Sequence, residues 1–333
     1  MKDIKLRPVE IAVLALLVAA CLWASFLGSR LTVYNLSIIA LYATVVTSLN
    51  LLLGLAGQAS FAQTTFMAIG GYGLAILTTR YAVNPWLALL ISLGLSILLA
   101  LVIGKPLLRL RGHYLSMGTV ALALGVASFA NASSFTNGGW GIGGVPPLTI
   151  GEFSFRNPVA FMWLAWALAA LSLVVYQLLG NSHIGRAWRA LSTRQDISAT
   201  LGIDVPRYKL LALVVSAIMA SLAGSLYVAL TRFVGPDLYD ISVVINLMFM
   251  LFVGGLRSTV GPIVGAAFVI LAPQAVAGFA AYQNLVFFLL LLLIILARPA
   301  GIFGRTRDRG SFEALLPQWL VRRAGPPEGA ARP

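Results

Sequence analysis

Long apolar stretches, separated by short polar connections, limit this chain more than any other feature. A helix needs about 20 mostly apolar residues to cross a bilayer. Ten stretches meet or approach that length, and they cover residues 9–28, 31–53, 61–79, 86–104, 113–131, 158–180, 209–231, 241–256, 260–276 and 282–297. The last three are short, so eight to ten spans fit the sequence. With 59% hydrophobic and 10% charged residues, the chain is predicted to be an all-α polytopic membrane protein with some discontinuous helices.

Lysines and arginines predict how the spans are oriented. Cytoplasmic connections of membrane proteins carry an excess of these residues. An even number of spans with both termini in the cytoplasm leaves only four arginines on the outer side, namely Arg30, Arg80, Arg156 and Arg232. The net charge of +13 is then explained by orientation in a membrane, and no nucleic-acid partner is expected.

The same arrangement divides the chain into regions. We predict a cytoplasmic N-terminus at 1–8, a transmembrane domain at 9–297 and a mobile cytoplasmic tail at 298–333. The transmembrane domain contains two long connections, an external loop at 132–157 and a cytoplasmic segment at 181–208.

Signatures of catalysis and of metal binding are absent from the sequence. It contains no H-E-x-x-H zinc pair, no G-x-S-x-G nucleophile motif and no complete phosphate-binding G-x-x-x-x-G-K-[ST] loop. The single cysteine, Cys21, excludes an intramolecular disulfide and a cysteine-based metal site. We predict no catalytic residue, metal or cofactor on this chain, so any ATP would bind to another chain. Val18–Cys21 also matches a lipoprotein cleavage box, but the apolar run continues to Phe26 and favours a plain first helix.

The ten acidic residues all fall in connections, in the tail or at the edges of spans. Proton-driven carriers usually keep a carboxylate or a histidine within the bilayer, and neither type stands in the interior of a predicted span. Coupling to sodium through the backbone carbonyls of broken helices needs no acid and therefore remains open.

A glycine-rich, neutral polar segment, GLAGQASFAQTTFMAIGGYG, lies between two apolar runs from Gly54 to Gly73. Glycine lets a helix unwind, and the freed backbone and amide groups can contact a polar substrate where they line a cavity. Packing between membrane helices is the alternative explanation for such small residues. The candidates for a translocation pathway are Gly57, Gln58, Ser60, Gln63 and Thr64, together with Asn246 in a later span.

A second glycine-rich segment, GGLRSTVGPIVGAAF from Gly254 to Phe268, ends one apolar run and begins another. Gly261 and Gly265 are four residues apart, which permits two helices to approach closely. The external loop is also rich in glycine and nearly uncharged, which favours turns over a regular span. It would either shape the outer mouth of a pathway or connect two spans without a further role.

The cytoplasmic segment contains an amphipathic helix from Gly185 to Leu191. Apolar residues recur at intervals of three and four, namely Ile184, Ala187, Trp188 and Leu191. The basic residues Arg186 and Arg189 lie on another face. Asp196 can cap a second short helix, which Gly202 ends. The amphipathic helix could lie on anionic lipid or dock on another protein, and its composition fits both.

Several stretches in register resemble the branched-chain amino-acid ABC permease family, of the LivM type. The residues G-R-A-x-R-A-L…D-x-x-A-x-L-G-I…K-L-L-A, at 185–212, resemble the family's cytoplasmic coupling segment. The polar segment after Gly54 resembles its G-L-x-G-x-x-S-x-x-x-x-x-F-x-x-I-G-A-Y motif, and TNGGWGIGGVP resembles its T-G-G-x-x-G-I-x-G-I-P loop. The resemblance spans most of residues 35–298. Asn137 replaces the first glycine of that loop and Val145 its isoleucine, which leaves the substrate open.

The resemblance implies a permease subunit with the ABC importer permease fold in a bacterial inner membrane. It implies three kinds of partner: a second, homologous permease, two ATP-binding subunits that hold ATP and Mg, and an extracytoplasmic substrate-binding protein. The residues implied to contact the ATPase are Gly185, Arg186, Trp188, Arg189, Leu191, Asp196, Ala199, Leu201 and Gly202, with Trp188, Leu191 and Leu201 as the apolar anchor. Those implied to form the external loop are Asn137, Gly138 and Gly141.

The substrate and the transport class have alternatives. Branched-chain or other small neutral amino acids are the expected cargo, and urea, short amides or aromatic acids are carried by relatives of this type. A stand-alone secondary carrier or channel is the competing class and predicts transport without partner subunits. A structural membrane scaffold is a third class, and it predicts no accessible polar cavity.

Overall fold

The computed structural model of the chain describes residues 8–108, 110, 112–150, 153–193, 198, 200, 202–275 and 301–304. Ten α-helices are described: α1 (Pro8–Leu27), α2 (Arg30–Leu49), α3 (Gln63–Thr79), α4 (Pro85–Leu107), α5 (His113–Ala132), α6 (Pro158–Asn181), α7 (His183–Thr193), α8 (Val205–Thr231), α9 (Ile241–Gly254) and α10 (Gly261–Ala275). A π-helix, Asn50–Leu55, continues α2. The four short strands are β1 (Ile142–Gly143), β2 (Thr149–Ile150), β3 (Phe153–Ser154) and β4 (Phe233–Val234).

Each of the first nine predicted spans corresponds to one of these helices. The remaining helix, α7, lies in the segment at 181–208 that was predicted to be cytoplasmic. The tenth predicted span, 282–297, lies outside the described residues. Five helices are long and apolar enough to cross a membrane, namely α2 with its π-helix, α4, α5, α6 and α8. By contrast, α9 has 14 residues and α10 has 15. A helix of that length rises only about 21 Å, against a hydrocarbon core of about 30 Å, so the total number of spans stays a prediction.

An asparagine or aspartate cap with a proline one or two residues later begins three of the long helices. The side chains of Asn84 and Asn157 each accept a hydrogen bond from the backbone two residues on, and Asp204 accepts one from Arg207. A capping side chain satisfies one of the free N–H groups of the first turn, and proline suits that turn because it has no N–H. These sequence signals determine where α4, α6 and α8 begin.

The helices α3 and α8 cross with their backbones in close contact. A Cβ atom on Gly70 would collide with the carbonyl oxygen of Ser221, and one on Gly224 would collide with that of Met67. Ser225 Oγ donates a hydrogen bond of 2.9 Å to the oxygen of Gly70. Small residues are therefore required on both helices for their backbones to approach this closely.

Connections gather at two opposite ends of the bundle. At one end, residues 56–62 and 255–260 lie next to α7. At the other end, the loop 132–157 contacts residues 232–240, because β1 pairs antiparallel with β4. From the distribution of lysines and arginines, we predict that the first of these ends is cytoplasmic and the second external.

The helices α9 and α10 form a closely packed hairpin. Gly261 faces the carbonyl of Gly254, and Gly265 faces that of Met250, which confirms the close approach predicted from the glycine spacing. The start of the C-terminal tail is attached to this hairpin, since Ile302 and Phe303 donate backbone hydrogen bonds to the last carbonyls of α9. Residues 301–304, which belong to the predicted tail, therefore pack against α9. The mobility of the tail as a whole stays a prediction. Residues 305–333 lie outside the described part.

Candidate functional site

The helix α7 is attached to its own chain through the residues predicted to anchor an ATPase. Trp188 and Leu191 are 0% and 1% exposed, and the indole Nε1 of Trp188 donates a hydrogen bond of 2.8 Å to the oxygen of Tyr208. Gly185 lies directly against the backbone of α6, where any side chain would collide with the oxygen of Leu179. In the single chain, Trp188 and Leu191 are therefore covered by α6 and α8, and the contact of this segment with an ATPase stays a prediction.

The outer face of α7 is polar. His183, Arg186 and Thr193 are exposed, whereas Arg189 is half-buried and donates a hydrogen bond of 2.6 Å to the oxygen of Gly180. Arg186 is therefore the described arginine of α7 that is most available to a partner. Of the other residues predicted for coupling, Gly202 has a φ of 80°, as expected at the end of a helix. Asp196, Ala199 and Leu201 lie outside the described residues.

Next to α7, the π-helix after α2 gives way to an unwound segment at 56–62. Gly57 has a φ of 65°, and a Cβ atom there would lie 2.7 Å from the Cα of Ser192 in α7. A left-handed backbone and this close contact together require glycine. The break in the helix that the sequence predicts is therefore present, and it lies against α7.

Three of the predicted pathway residues are buried in the helix packing. The amide of Gln58 donates to the oxygen of Lys209 at 3.4 Å, and that of Gln63 donates to Ser216 Oγ at 2.7 Å. The hydroxyl of Thr64 and the Oε1 atom of Gln63 have no hydrogen-bond partner among the described residues. These side chains reach no solvent in the single chain, so a substrate could contact them only if this packing opens.

The unwound segment is held in place by α5. Ser116 Oγ donates to the oxygen of Ala59 at 3.1 Å, and the backbone N–H of Phe61 donates to Thr119 Oγ1 at 3.0 Å. The predicted pathway residue Ser60 is also buried, and its hydroxyl accepts a bond from the N–H of Ala62. The segment is therefore a fixed part of the bundle in this conformation.

Asn246 differs from the other pathway candidates because its side chain is only half-buried. It lies on α9, and together with exposed Gly57 it reaches the surface of the chain. The residues that the sequence groups into one pathway are thus divided in the structure: Gln58, Ser60, Gln63 and Thr64 are buried, whereas Gly57 and Asn246 reach the surface.

The open face of α5 is a feature that the sequence analysis missed. Of the five long helices it is the least buried. Its exposed surface is mixed: a stripe of small residues, Ala121, Gly125 and Ser128, lies beside the large side chains of Tyr114, Met117, Leu124 and Phe129. The exposed face of α4 carries more large aliphatic side chains, including Leu87, Leu90, Ile91, Leu95, Leu98 and Val102, with Gly94 among them. Large aliphatic residues suit lipid, whereas small residues suit contact with another helix. The helical period of α5 could have indicated this difference.

The external loop folds into a small cap over one end of the bundle. Besides the β1–β4 pair, the indole of Trp86 donates a hydrogen bond of 2.8 Å to the oxygen of Thr149, and β2 pairs with β3. Val145 and Leu148, which belong to the loop, are buried. The loop is therefore a packed element and more than a solvated connection between two spans.

Asn137, Gly138 and Gly141 form the turn of this cap. All three have a positive φ, and the side chain of Asn137 donates a hydrogen bond of 2.7 Å to the oxygen of Gly141. Asparagine is one of the few side chains that tolerate this backbone region, which explains how it stands in the place of a glycine. Trp140, within the same turn, is 87% exposed, and the sequence analysis did not single it out.

The comparison with known proteins identifies one family. Residues 31–296 match the family model described as branched-chain amino acid transport system, permease component. The chain is 29% identical to the high-affinity branched-chain amino acid transport system permease protein LivM of Escherichia coli (strain K12), over 90% of this chain and 76% of that protein. It is 26% identical to the corresponding protein LivH of Salmonella typhimurium, over 79% and 91%. No solved structure matches the chain.

Proposed function

Because the chain belongs to the family of branched-chain amino acid ABC transporter permeases, we propose that it is a permease subunit of an importer for branched-chain or other small neutral amino acids. The observation that carries this proposal is the family match, which spans the helices α3 to α10 and nearly all of α2. A multi-pass position in the bacterial inner membrane agrees with the five long apolar helices.

The pathway, in this proposal, lies between this chain and a second permease of the same family. The open face of α5 supports this position, because small residues let two membrane helices approach and Ser128 adds a neutral polar group. A neutral lining suits a zwitterionic or uncharged substrate, since a fixed charge would hold an ion instead of releasing it. The similarity of the chain to both LivM and LivH supports a related partner.

Two separate ATP-binding subunits drive the transport and contact α7. The exposed Arg186 supplies a charged contact, and the burial of Trp188 fixes the helix to the spans, so that a force on α7 would reach them. ATP and Mg are held by those subunits, and this chain contributes no catalytic residue. Charge supports the orientation, with α7 and both termini in the cytoplasm.

A substrate-binding protein docks on the opposite end, where the external cap lies. The exposed indole of Trp140 supports this assignment, because tryptophan is enriched among the residues that dominate protein interfaces. The hydrogen bonds around Asn137 hold the turn in one shape, which favours a defined contact over a mobile loop.

Transport by purified subunits in proteoliposomes tests this function. The chain is reconstituted with its second permease and its ATP-binding subunits, and uptake of labelled leucine is measured with ATP and with the binding protein. We expect uptake only when every component is present. Transport of leucine by this chain alone down an ion gradient would instead identify a secondary carrier, and ATP-driven uptake of urea or an aromatic acid in place of leucine would change the substrate class.

A further inference from the structure

Arg257 joins three elements that are far apart in the sequence. Its backbone N–H donates a hydrogen bond of 2.9 Å to Asn50 Oδ1, at the start of the π-helix. Its guanidinium donates from Nε to the oxygen of Gly54 at 2.7 Å, at the end of the same π-helix, and from Nη2 to Ser192 Oγ of α7 at 3.2 Å. The turn between α9 and α10 is thereby connected both to α2 and to the cytoplasmic helix.

Other contacts hold the same junction together. Asn50 is fully buried, and its Nδ2 atom donates to the oxygen of Ser258 at 2.8 Å, so this one amide binds the α9–α10 turn through both of its polar atoms. Gly57 packs against the backbone of Ser192. The junction therefore consists of the end of α2, the turn after α9 and the last residues of α7.

The chemistry of arginine suits this position better than that of lysine. A planar guanidinium carries five N–H donors in fixed directions and can bond several acceptors at once, whereas a lysine ammonium is a single flexible point charge. Arg257 also adopts a φ of 60°, which is uncommon for a residue other than glycine and persists only where surrounding contacts hold it.

The π-helix is the part of the junction in which we expect a change of conformation. A π-helix differs from an α-helix by the extra residue in each hydrogen-bonded ring, and such segments are frequent at functional sites. The segment Asn50–Leu55 leads directly into the unwound residues 56–62 and then into α3. A displacement of α7 would move the acceptor on Ser192, and through the guanidinium it would move both ends of the π-helix.

We propose that Arg257 is a positioning residue that transmits movement of α7 to the π-helical end of α2 and to the α9–α10 turn. The inference rests on the proposed function, because it assigns the route by which ATP-driven movement reaches the spans. It adds to that function a specific connection through a turn that belongs to neither the coupling segment nor the external loop.

The test uses the complete complex in proteoliposomes, with leucine uptake and ATP hydrolysis measured on the same vesicles. We expect Arg257→Ala and Ser192→Ala each to lower the number of leucine molecules imported per ATP by roughly two- to thirtyfold, the range seen for residues that couple distant sites. The double variant should import as many leucine molecules per ATP as Arg257→Ala alone, since both changes remove the contact between Arg257 and Ser192. Ser192→Ala is the milder change and keeps the test informative if Arg257→Ala fails to fold.

The control is Lys105→Ala, which removes an exposed positive charge at the same end of the bundle and should keep the wild-type ratio. A purely structural role of Arg257 would lower the melting temperature and reduce uptake and ATP hydrolysis in proportion, and this result would overturn the inference. A wild-type ratio in both single variants would also overturn it while leaving the importer intact. A wild-type complex without ATP-driven uptake would overturn the proposed function and this inference with it.

Discussion

The indole of Trp188 and the backbone oxygen of Tyr208 are joined by a hydrogen bond of 2.8 Å that connects the amphipathic helix α7 to the start of α8. The bond is made in the interior of the chain, because the tryptophan is 0% exposed. An apolar face that the sequence could assign to lipid or to a partner is therefore used within the protein itself.

We predict that Trp188→Ala detaches α7 from the bundle. Truncation of a buried tryptophan usually costs about 3–5 kcal/mol, and the loss falls on α7 because the indole lies between that helix and α8. Trypsin should then cut the detergent-solubilised protein near Arg186 far faster than in the wild type, as followed by mass spectrometry.

Two further variants separate packing from hydrogen bonding at this position. Trp188→Phe keeps one aromatic ring but loses the bond to Tyr208, and it should cost about 1–3 kcal/mol, less than Trp188→Ala. Trp140→Ala removes an exposed tryptophan and should leave the cleavage rate unchanged. Equal cleavage of Trp188→Ala and wild-type protein would mean that Trp188 does not hold α7.

We predict that a larger side chain at Gly224 destabilises the crossing of α3 and α8. Gly224→Val would place two methyl groups against the backbone of Met67, where even a Cβ atom collides. Overpacking of this kind costs about 1–3 kcal/mol, so the melting temperature in detergent should fall by several degrees. Gly94→Val on α4 is the matched control, because no atom lies within 4 Å of the Cβ position of Gly94. Equal melting temperatures of the two variants would contradict the close contact between α3 and α8.

The helices could largely be predicted from the sequence, because their signals are local. Length, hydropathy and the Asn-Pro starts predict α4 and α6 to within a few residues. The unwound segment at Gly57 and the close approach at Gly265 also follow from glycine placement. Each of these features depends on residues within one or two turns of each other.

The contacts between distant elements could not be predicted in this way. Periodicity identifies Trp188 as part of an apolar face but does not reveal which neighbour covers it. Arg257 contributes to the positive-inside count as one cation, and its bonds to Asn50 and Gly54 depend on how the chain folds across more than 200 positions. The burial of Gln63 depends likewise on Ser216 of another helix.

We predict that the open face of α5 contacts another permease subunit. Gly125→Leu should reduce ATP-driven leucine uptake by the assembled complex roughly tenfold, because a bulky side chain would overpack a helix contact that tolerates only small residues. The single chain offers no clash there, since no atom lies within 4 Å of the Cβ position of Gly125. Stability of the isolated subunit should therefore be unchanged.

The matched control for this surface is Gly94→Leu on α4. Gly94 is also a helix glycine with open space around it, but it lies among the large aliphatic residues of the α4 face. It should therefore face lipid, and its replacement should leave uptake at the wild-type level. An equal loss of uptake in Gly125→Leu and Gly94→Leu would indicate a general effect of a leucine side chain at a helix glycine. Wild-type uptake in both variants would show that α5 does not belong to the interface.

We predict that Trp140 contributes to the docking of the substrate-binding protein. Truncation of a tryptophan at the centre of an interface commonly costs about 2 kcal/mol or more, so Trp140→Ala should raise the Kd of the binding protein for the reconstituted complex roughly thirtyfold. Surface plasmon resonance on complexes held in lipid nanodiscs measures this constant directly. The turn should keep its shape, because the hydrogen bond between Asn137 and Gly141 does not involve the indole.

The alternative position for an exposed tryptophan is the boundary between the lipid and water, where aromatic side chains are also enriched. Trp23→Ala on α1 is the control, because that side chain is exposed on a predicted span and should not affect the Kd. If Trp140 lies among lipid headgroups, Trp140→Ala will leave the Kd unchanged, and quenchers attached to the lipid will reduce its fluorescence. A raised Kd without such quenching assigns Trp140 to the protein interface, because only a side chain directed into water can meet a soluble partner.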